Sequence, residues 1–242
     1  MTRILFYCLS FSLVASCSVS KDVGINKKAI TKQINALYQK KKFNGFAVAL
    51  VNENGTQYQK GFGLADVSLK KKYTTQTVQN IGSVSKTLVG IALMKAHELG
   101  KLKLDDPIDQ YLDFKVVNPK FMEMKITIRQ LATHTSSIID NEFYSSRNYY
   151  LMPNQDLNGM NMTFEEEQVF NPADSTITMK TYFQHVLTEN GKWNNGSFSE
   201  NRPGSIYEYS NVGTALAAYI IEQATRQPFG ILRKNIFLIL CK

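Results

Sequence analysis

The chain has 242 residues, of which 43% are hydrophobic and 11% aromatic, which is enough apolar material for a core and excludes a wholly disordered protein. Its net charge of +8 raises the question of nucleic-acid binding. The lysines instead occur in short runs beside turns, at Lys40–Lys42 and Lys70–Lys72, and no predicted helix carries a basic stripe with interleaved aromatic residues. We therefore expect a lysine-rich surface, compatible with an anionic envelope or cell wall, and no nucleic-acid partner.

The N-terminus has the pattern of an export signal. Arg3 is followed by an apolar stretch from Ile4 to Val14, which is too short to span a bilayer comfortably. Small residues then precede Cys17, and this resembles the cleavage site of bacterial lipoproteins, in which the cysteine thiol carries diacylglycerol. We expect a lipoprotein signal peptide at 1–16, a lipid anchor on Cys17, a tether at 17–25 and a location in the bacterial cell envelope. An ordinary signal peptide is the alternative.

The cysteines and histidines give no sign of a metal site or of a cofactor. Cys8 would leave with the signal and Cys17 would be lipidated, so Cys241 has no partner for an internal disulfide. The three histidines have no metal-ligand spacing.

Two elements are predicted at the start of the domain, which we place at 26–242. Apolar residues recur at helical spacing from Asn26 to Lys41 and predict an amphipathic helix. The β-rich run Phe46–Val51, turn residues ending in Asn54-Gly55, and the run Thr56–Lys60 then predict a β-hairpin.

Helices are predicted in the centre and at the end of the chain. A largely apolar helix begins at Ser83 and ends near Gly100, and a short helix covers Thr127–Thr133 with Thr127 as its N-cap. From Ser136 to Pro203 the apolar periodicity is weak, which predicts a loop-rich insertion with one helix near Met179–Glu189. A last helix covers about Val212–Ala224.

Ser83 and Lys86 are the first residues that indicate chemistry. Residues three apart lie on one face of a helix, and a serine in the first turn lies at the positive end of the helix dipole. A neighbouring lysine that has lost its proton can accept the proton of the serine hydroxyl. By itself this spacing is common, and the alternative is that Ser83 or Ser85 merely caps the helix.

Further segments in a fixed order make the pattern specific. His134-Thr135-Ser136 and Tyr209-Ser210-Asn211 follow the Ser83 segment, and together they resemble the serine β-lactamase and penicillin-binding-protein superfamily, in its class C-like, β-lactamase-related branch. The resemblance covers about Phe46 to Phe237. It implies an α/β fold of the α+β type, with an antiparallel sheet flanked by helices. The segments that carry it are 61–66, 80–88, 100–107, 126–137 and 203–213.

The resemblance implies a role for each matching residue. Ser83 would be the acylated nucleophile, and Lys86 would share or relay its proton. Tyr209 would act as general base and then as acid, helped by a nearby lysine cation. Asn211 would hydrogen-bond the lysine and the substrate amide, and the backbone N–H of Ser83 would be one oxyanion donor.

Two residues of the middle segment need comment. His134 is a tempting base, but the resemblance makes it part of a structural turn beneath the site, so we expect a buried histidine with its hydrogen bonds satisfied. Ser137 stands where the family usually has glycine, which takes positive φ freely, so the turn could be altered there.

The sequence departs from the pattern after Asn211. Active members carry a Lys-Thr-Gly or His-x-Gly segment on a strand beside the site, and neither follows Asn211 here. Lys180-Thr181 precedes Tyr209 and is followed by tyrosine, so its place is wrong. We therefore expect the C-terminal strands to be missing, through a premature stop, a frameshift or an incomplete gene model.

The expected function is that of an envelope-anchored serine hydrolase acting through an acyl-enzyme. Its substrates would be β-lactams, D-alanyl peptides of peptidoglycan or small esters. The alternative is a non-catalytic product: a truncated, inactive remnant or a peptidoglycan-binding module that keeps the cleft.

Overall fold

The computed structural model describes residues 24–40, 42–158, 163–164, 167–168 and 170–231. The predicted leader, Cys17 and most of the tether lie outside these residues. The chain divides into two compact units, one ending at Asn80 and the other beginning at Ile81.

The helices and strands are few, and most are short. The helices are α1 Lys27–Tyr38, α2 Lys86–Glu98, α3 Ile128–Ala132, α4 Glu142–Arg147, α5 Met179–Leu187 and α6 Asn211–Thr225. The strands are β1 Gly45–Asn52, β2 Gly55–Asp66, β3 Lys71–Lys72, β4 Tyr149–Tyr150, β5 Thr163–Phe164, β6 Glu167–Gln168 and β7 Phe170–Asn171. Short 3₁₀ turns cover Gly82–Ser85, Ile108–Gln110 and Ala173–Ser175.

The first unit contains the predicted helix and hairpin. β1 and β2 pair antiparallel from Gly45↔Gly63 to Asn52↔Gly55, and β3 extends the sheet in the order β1-β2-β3. β2 is longer than predicted, because the Gly61-Phe62-Gly63 segment continues the strand instead of ending it. At Gly63 φ is +73° and a Cβ would lie 2.3 Å from the Asn44 carbonyl oxygen, so only glycine fits there.

α1 packs on the sheet through polar and aromatic contacts. The Thr31 and Tyr58 hydroxyls lie 2.9 Å apart, which joins the helix to β2. The Phe46 and Phe62 rings stack at 5.4 Å, with Tyr38 edge-on to Phe46. These contacts fix α1 across the hairpin.

The second unit has a core built by α2, α3, α5 and α6. α6 contributes the most, since Leu216, Ile220 and Ile221 are fully buried. Burying one such side chain stabilises the fold by about 1.5–3 kcal/mol. α2 buries the small residues Ala92 and Ala96, which allow close approach to α6.

The short predicted helix after Thr127 is confirmed. The Thr127 hydroxyl accepts a hydrogen bond from the Gln130 N–H, and the Gln130 side chain accepts one from the Thr127 N–H. This reciprocal capping satisfies two of the N–H groups that a helix leaves without partners at its start. It also fixes where the chain turns toward His134.

The segment from Ser136 to Pro203 is loop-rich as predicted, but it is tied closely to the core. α5 buries Phe183 and Val186, and Trp193 is also buried. The Asn141 side chain donates to the carbonyl oxygens of Trp193 and Asn195. The segment also contains α4, which was not predicted. That the segment from Ser136 to Pro203 is an insertion relative to other members of the resembled family stays a prediction.

Candidate active site

Ser83 and Lys86 lie next to each other at the start of α2. Ser83 belongs to a 3₁₀ turn, and the α-helix proper begins at Lys86, so the predicted start of the α-helix is corrected by three residues. Residues i and i+3 of a 3₁₀ turn are eclipsed, which aligns these two side chains. Lys86 Nζ lies 3.1 Å from Ser83 Oγ and donates to it.

Tyr209 and Asn211 reach the same place from the start of α6. The Tyr209 hydroxyl donates to Ser83 Oγ over 2.6 Å. Lys86 Nζ donates to Asn211 Oδ1 over 2.5 Å and lies 4.9 Å from the centre of the Tyr209 ring. All four predicted site residues therefore meet around one hydroxyl group.

The neighbours of Tyr209 make loss of its phenol proton easier. The hydrogen bond from Lys86 lowers the pKa of Tyr209 below its ordinary value, and the bond to Ser83 adds to this effect. The Tyr209 ring is 44% exposed, so water screens these interactions in part. Lys86 is half-buried, and its Nζ lies over the Tyr209 ring.

Asp140 is a site residue that the sequence reasoning missed. One of its carboxylate oxygens accepts from Asn211 Nδ2 over 2.6 Å and from the Asn211 N–H over 3.1 Å. The other accepts from the Val212 N–H over 2.9 Å and from the Ser210 hydroxyl over 3.2 Å. The carboxylate thus caps α6, where a negative charge is favourable, and fixes the amide orientation of Asn211. In the sequence, the only hint of this role is weak: an acidic residue stands four positions after Ser136.

His134 lies beside the site and has a structural partner. Its Nδ1 accepts from the Ser210 N–H over 3.1 Å, and its ring packs on Tyr209 with 4.7 Å between ring centres. Burial, followed by the charge of Lys86, lowers the pKa of His134, which suits the neutral ring that this bond requires. The expectation of a satisfied histidine is met, but the ring is half-buried rather than buried.

The turn after His134 places a serine, not a glycine, at positive φ. Ser137 takes φ +63° and His134 takes φ +55°, both in the left-handed region. A non-glycine residue there costs about 1–2 kcal/mol. The Ser137 hydroxyl accepts from Asn118 Nδ2 over 3.1 Å, a buried contact that offsets part of this cost.

Other predicted features fall away from the site. Lys180-Thr181 lies in the first turn of α5, where Lys180 is paired with Asp113, so it is not a strand motif.

Within the described ranges, no three His, Cys, Asp or Glu side chains group closely enough to hold a metal ion. In the same ranges, no helix is long and apolar enough to span a membrane.

Comparison with known proteins identifies the family of this chain. A family model described as Beta-lactamase matches residues 30–237, which is well over half of the chain. The chain therefore belongs to the Beta-lactamase family, within the serine β-lactamase and penicillin-binding-protein superfamily.

Individual relatives agree with this assignment. A β-lactamase from Pseudomonas fluorescens is 28% identical over 212 residues, covering 88% of this chain and 48% of that protein. The octameric penicillin-binding protein homologue from Pyrococcus abyssi superimposes with a TM-score of 0.62 at 23% identity, covering 87% of this chain and 42% of that one. EstCE1, a hydrolase with promiscuous acyltransferase activity, gives a TM-score of 0.62 at 22% identity, covering 86% and 50%.

These likenesses confirm the predicted fold class, an α/β fold with helices and an antiparallel sheet, of the β-lactamase and transpeptidase type. The chain spans half or less of the length of each of these relatives.

The lowered pKa of Tyr209 leads to a prediction about Lys86. Replacing Lys86 with Met removes the hydrogen bond and the positive charge, so the pKa of Tyr209 should rise toward 10.0, its unperturbed value. At any pH below that value the phenolate fraction should then be smaller than in the unchanged chain. Tyrosinate absorbance, taken as the difference from Tyr209→Phe in each background, measures this titration.

The matched control is Lys95→Met, which removes a lysine from the same helix that is paired instead with Glu98. It should leave the Tyr209 titration unchanged. Superimposable curves for Lys86→Met and the unchanged chain would contradict the assigned cause.

Proposed function

We propose that this protein is a serine hydrolase that acts through an acyl-enzyme on Ser83. The observation that carries the proposal is the pair of contacts to one hydroxyl group: Ser83 Oγ lies 3.1 Å from Lys86 Nζ and 2.6 Å from the Tyr209 oxygen. Both neighbours can exchange a proton with the hydroxyl, which is the arrangement that an activated serine requires.

The acylation step follows from these contacts. With Tyr209 ionised, the phenolate accepts the Ser83 proton while Oγ attacks the substrate carbonyl carbon. Tyr209 then gives this proton to the leaving group as the carbonyl–leaving-group bond breaks, and the acyl group stays on Oγ. In the second step Tyr209 accepts a proton from water as the water oxygen bonds to the acyl carbon. Tyr209 then gives this proton to Ser83 Oγ as the ester bond breaks and the acid leaves. The Lys86 side chain beside the phenol stabilises its ionised form.

Two further groups can form hydrogen bonds with the substrate. Ser83 lies in the opening turn of a helix, where N–H groups have no acceptor within the helix, so its own N–H can donate to the oxyanion. Asn211 already bonds Lys86 through Oδ1 and Asp140 through Nδ2. Its amide keeps a second lone pair and a second N–H, which can bind a substrate amide.

The proposed substrates share an acyl group that an activated serine can accept. They are β-lactams, D-alanyl peptides of peptidoglycan and small esters. The family assignment supports this range, as do a relative named as a β-lactamase and a structural neighbour described as a hydrolase with acyltransferase activity.

The second candidate is a non-catalytic protein, either an inactive remnant or a peptidoglycan-binding module. The observation that favours it is that the described residues supply one identified oxyanion donor, the N–H of Ser83. Stabilising an oxyanion strongly takes more than one such donor.

Reaction with a fluorescent fluorophosphonate and a fluorescent penicillin separates the two candidates. Ser83→Ala should abolish labelling, and Tyr209→Phe should slow it by about 10²- to 10⁴-fold because the general base is lost. Ser85→Ala, a neighbouring serine in the same 3₁₀ turn, is the matched control and should label normally.

Labelling that survives in Ser83→Ala would refute the assignment of the nucleophile. An unlabelled chain that still unfolds in one cooperative thermal transition would support the non-catalytic candidate.

We further propose that the protein works at the envelope surface, held by lipid on Cys17. The pattern from Arg3 to Cys17 supports this location. In a bacterial host that processes lipoproteins, the mature protein should carry an acyl mass on Cys17 and fractionate with membranes. Cys17→Ser should lose that mass, and a fully soluble, unmodified wild-type chain would contradict the anchor.

A further inference from the structure

The positive charge of this protein is concentrated in its first unit. Residues 24–80 contain ten lysines, no arginine and two acidic residues, a net charge of +8. From Ile81 onward, 16 basic and 17 acidic residues leave a net charge of −1. The excess of the whole chain therefore lies in the first unit, whereas Ser83 belongs to the second.

Four of these lysines form one surface. Lys27, Lys28 and Lys32 of α1 and Lys60 of β2 line a single shallow concavity, and all four are exposed. The hydrogen bond between Thr31 and the β2 residue Tyr58 holds the helix and the strand together there. We call this set of four lysines the α1 basic face.

The described ion pairs do not involve these charges, although Lys60 Nζ lies 5.8 Å from the centre of the Phe62 ring. The five ion pairs within the described ranges all join residues of the second unit, and no lysine of the α1 basic face takes part in one. Lys27 and Lys28 occupy the first turn of α1, which contains no acidic residue. Cations at a helix N-terminus oppose the helix dipole and destabilise the helix. The charges of Lys27 and Lys28 are thus unfavourable for α1, and an external anion would offset this cost.

We propose that the α1 basic face binds the anionic phospholipid headgroups of a membrane. Lys27 follows Cys17 by ten residues. Ten residues of any conformation span at most about 35 Å, and as a flexible chain they average about 17 Å. A lipid on Cys17 would therefore keep the face close to the bilayer. A lysine at an anionic surface strengthens binding about fivefold. This proposal is independent of Ser83 chemistry and rests on the proposed anchor only for its setting.

The first test is an amine-acetylation footprint of the processed, lipidated protein on vesicles, read by mass spectrometry. On phosphatidylcholine vesicles that contain phosphatidylglycerol, the four lysines should be protected relative to pure phosphatidylcholine. About 0.5 M salt should remove the protection, because it screens exposed charges. Lys70–Lys72, an equally exposed run in the same unit, is the internal control and should change much less. Equal labelling on both vesicles would overturn the proposal.

The second test uses the unacylated chain, residues 17–242 with Cys17→Ser, so that failure of the anchor does not affect the result. Combined Lys27→Gln, Lys28→Gln and Lys32→Gln substitutions should reduce sedimentation with phosphatidylglycerol vesicles by at least about tenfold. The combined Lys70→Gln, Lys71→Gln and Lys72→Gln variant removes the same charge and should lose much less. Circular dichroism confirms that both variants fold. Equal losses would show a general charge effect and would overturn the assignment to this face.

Discussion

The hydrogen bonding of Asp140 at the start of α6 is the constraint on which the site depends. One carboxylate binds the backbone and side chain of Asn211 and so fixes which end of the amide faces Lys86. Lys86 is thereby held by Asn211 Oδ1 at a distance where it also reaches Ser83. The Asp140 carboxylate also accepts from the Val212 N–H of α6, and α6 packs its buried face against α2. The same carboxylate therefore connects the hydrophobic core to the residues around Ser83. Removing the Asn211 contact would free Lys86 without opening the core.

Much of the site and the fold could be predicted from local sequence, and the exceptions have a common cause. The Thr127 cap, the hairpin turn at Gly55 and the spacing of Ser83 and Lys86 each depend on residues a few positions apart. Asp140 was missed because its partners lie about seventy positions away, and nothing nearby marks it as a cap. α4 was missed for a related reason, since its six residues show too little periodicity to identify a helix.

The two units differ in how their charges are used. In the second unit the described ion pairs join lysine and arginine side chains to carboxylates. Lys86 takes part in none of these pairs and instead contacts Ser83, Tyr209 and Asn211. In the first unit the lysines that the structure describes are exposed, and none takes part in a described ion pair. A chain with one neutral, chemically organised unit and one strongly basic unit suits an enzyme held at an anionic surface. The proposed catalytic role and the proposed surface role can therefore be tested separately.

The most direct test of this account is the rate at which a fluorophosphonate labels Ser83 in Asp140→Asn. An amide at this position has one acceptor oxygen, so its NH₂ group must face either the two Asn211 donors or the Val212 N–H. Either arrangement loses hydrogen bonds that position Asn211, so labelling should slow by about tenfold or more. Ser210→Ala is the control, because it weakens the cap of α6 and leaves the Asn211 contacts in place. Asp140→Asn should therefore label slowly, and Ser210→Ala should label at a near-normal rate. A folded Asp140→Asn that labels as fast as the unchanged chain would contradict it.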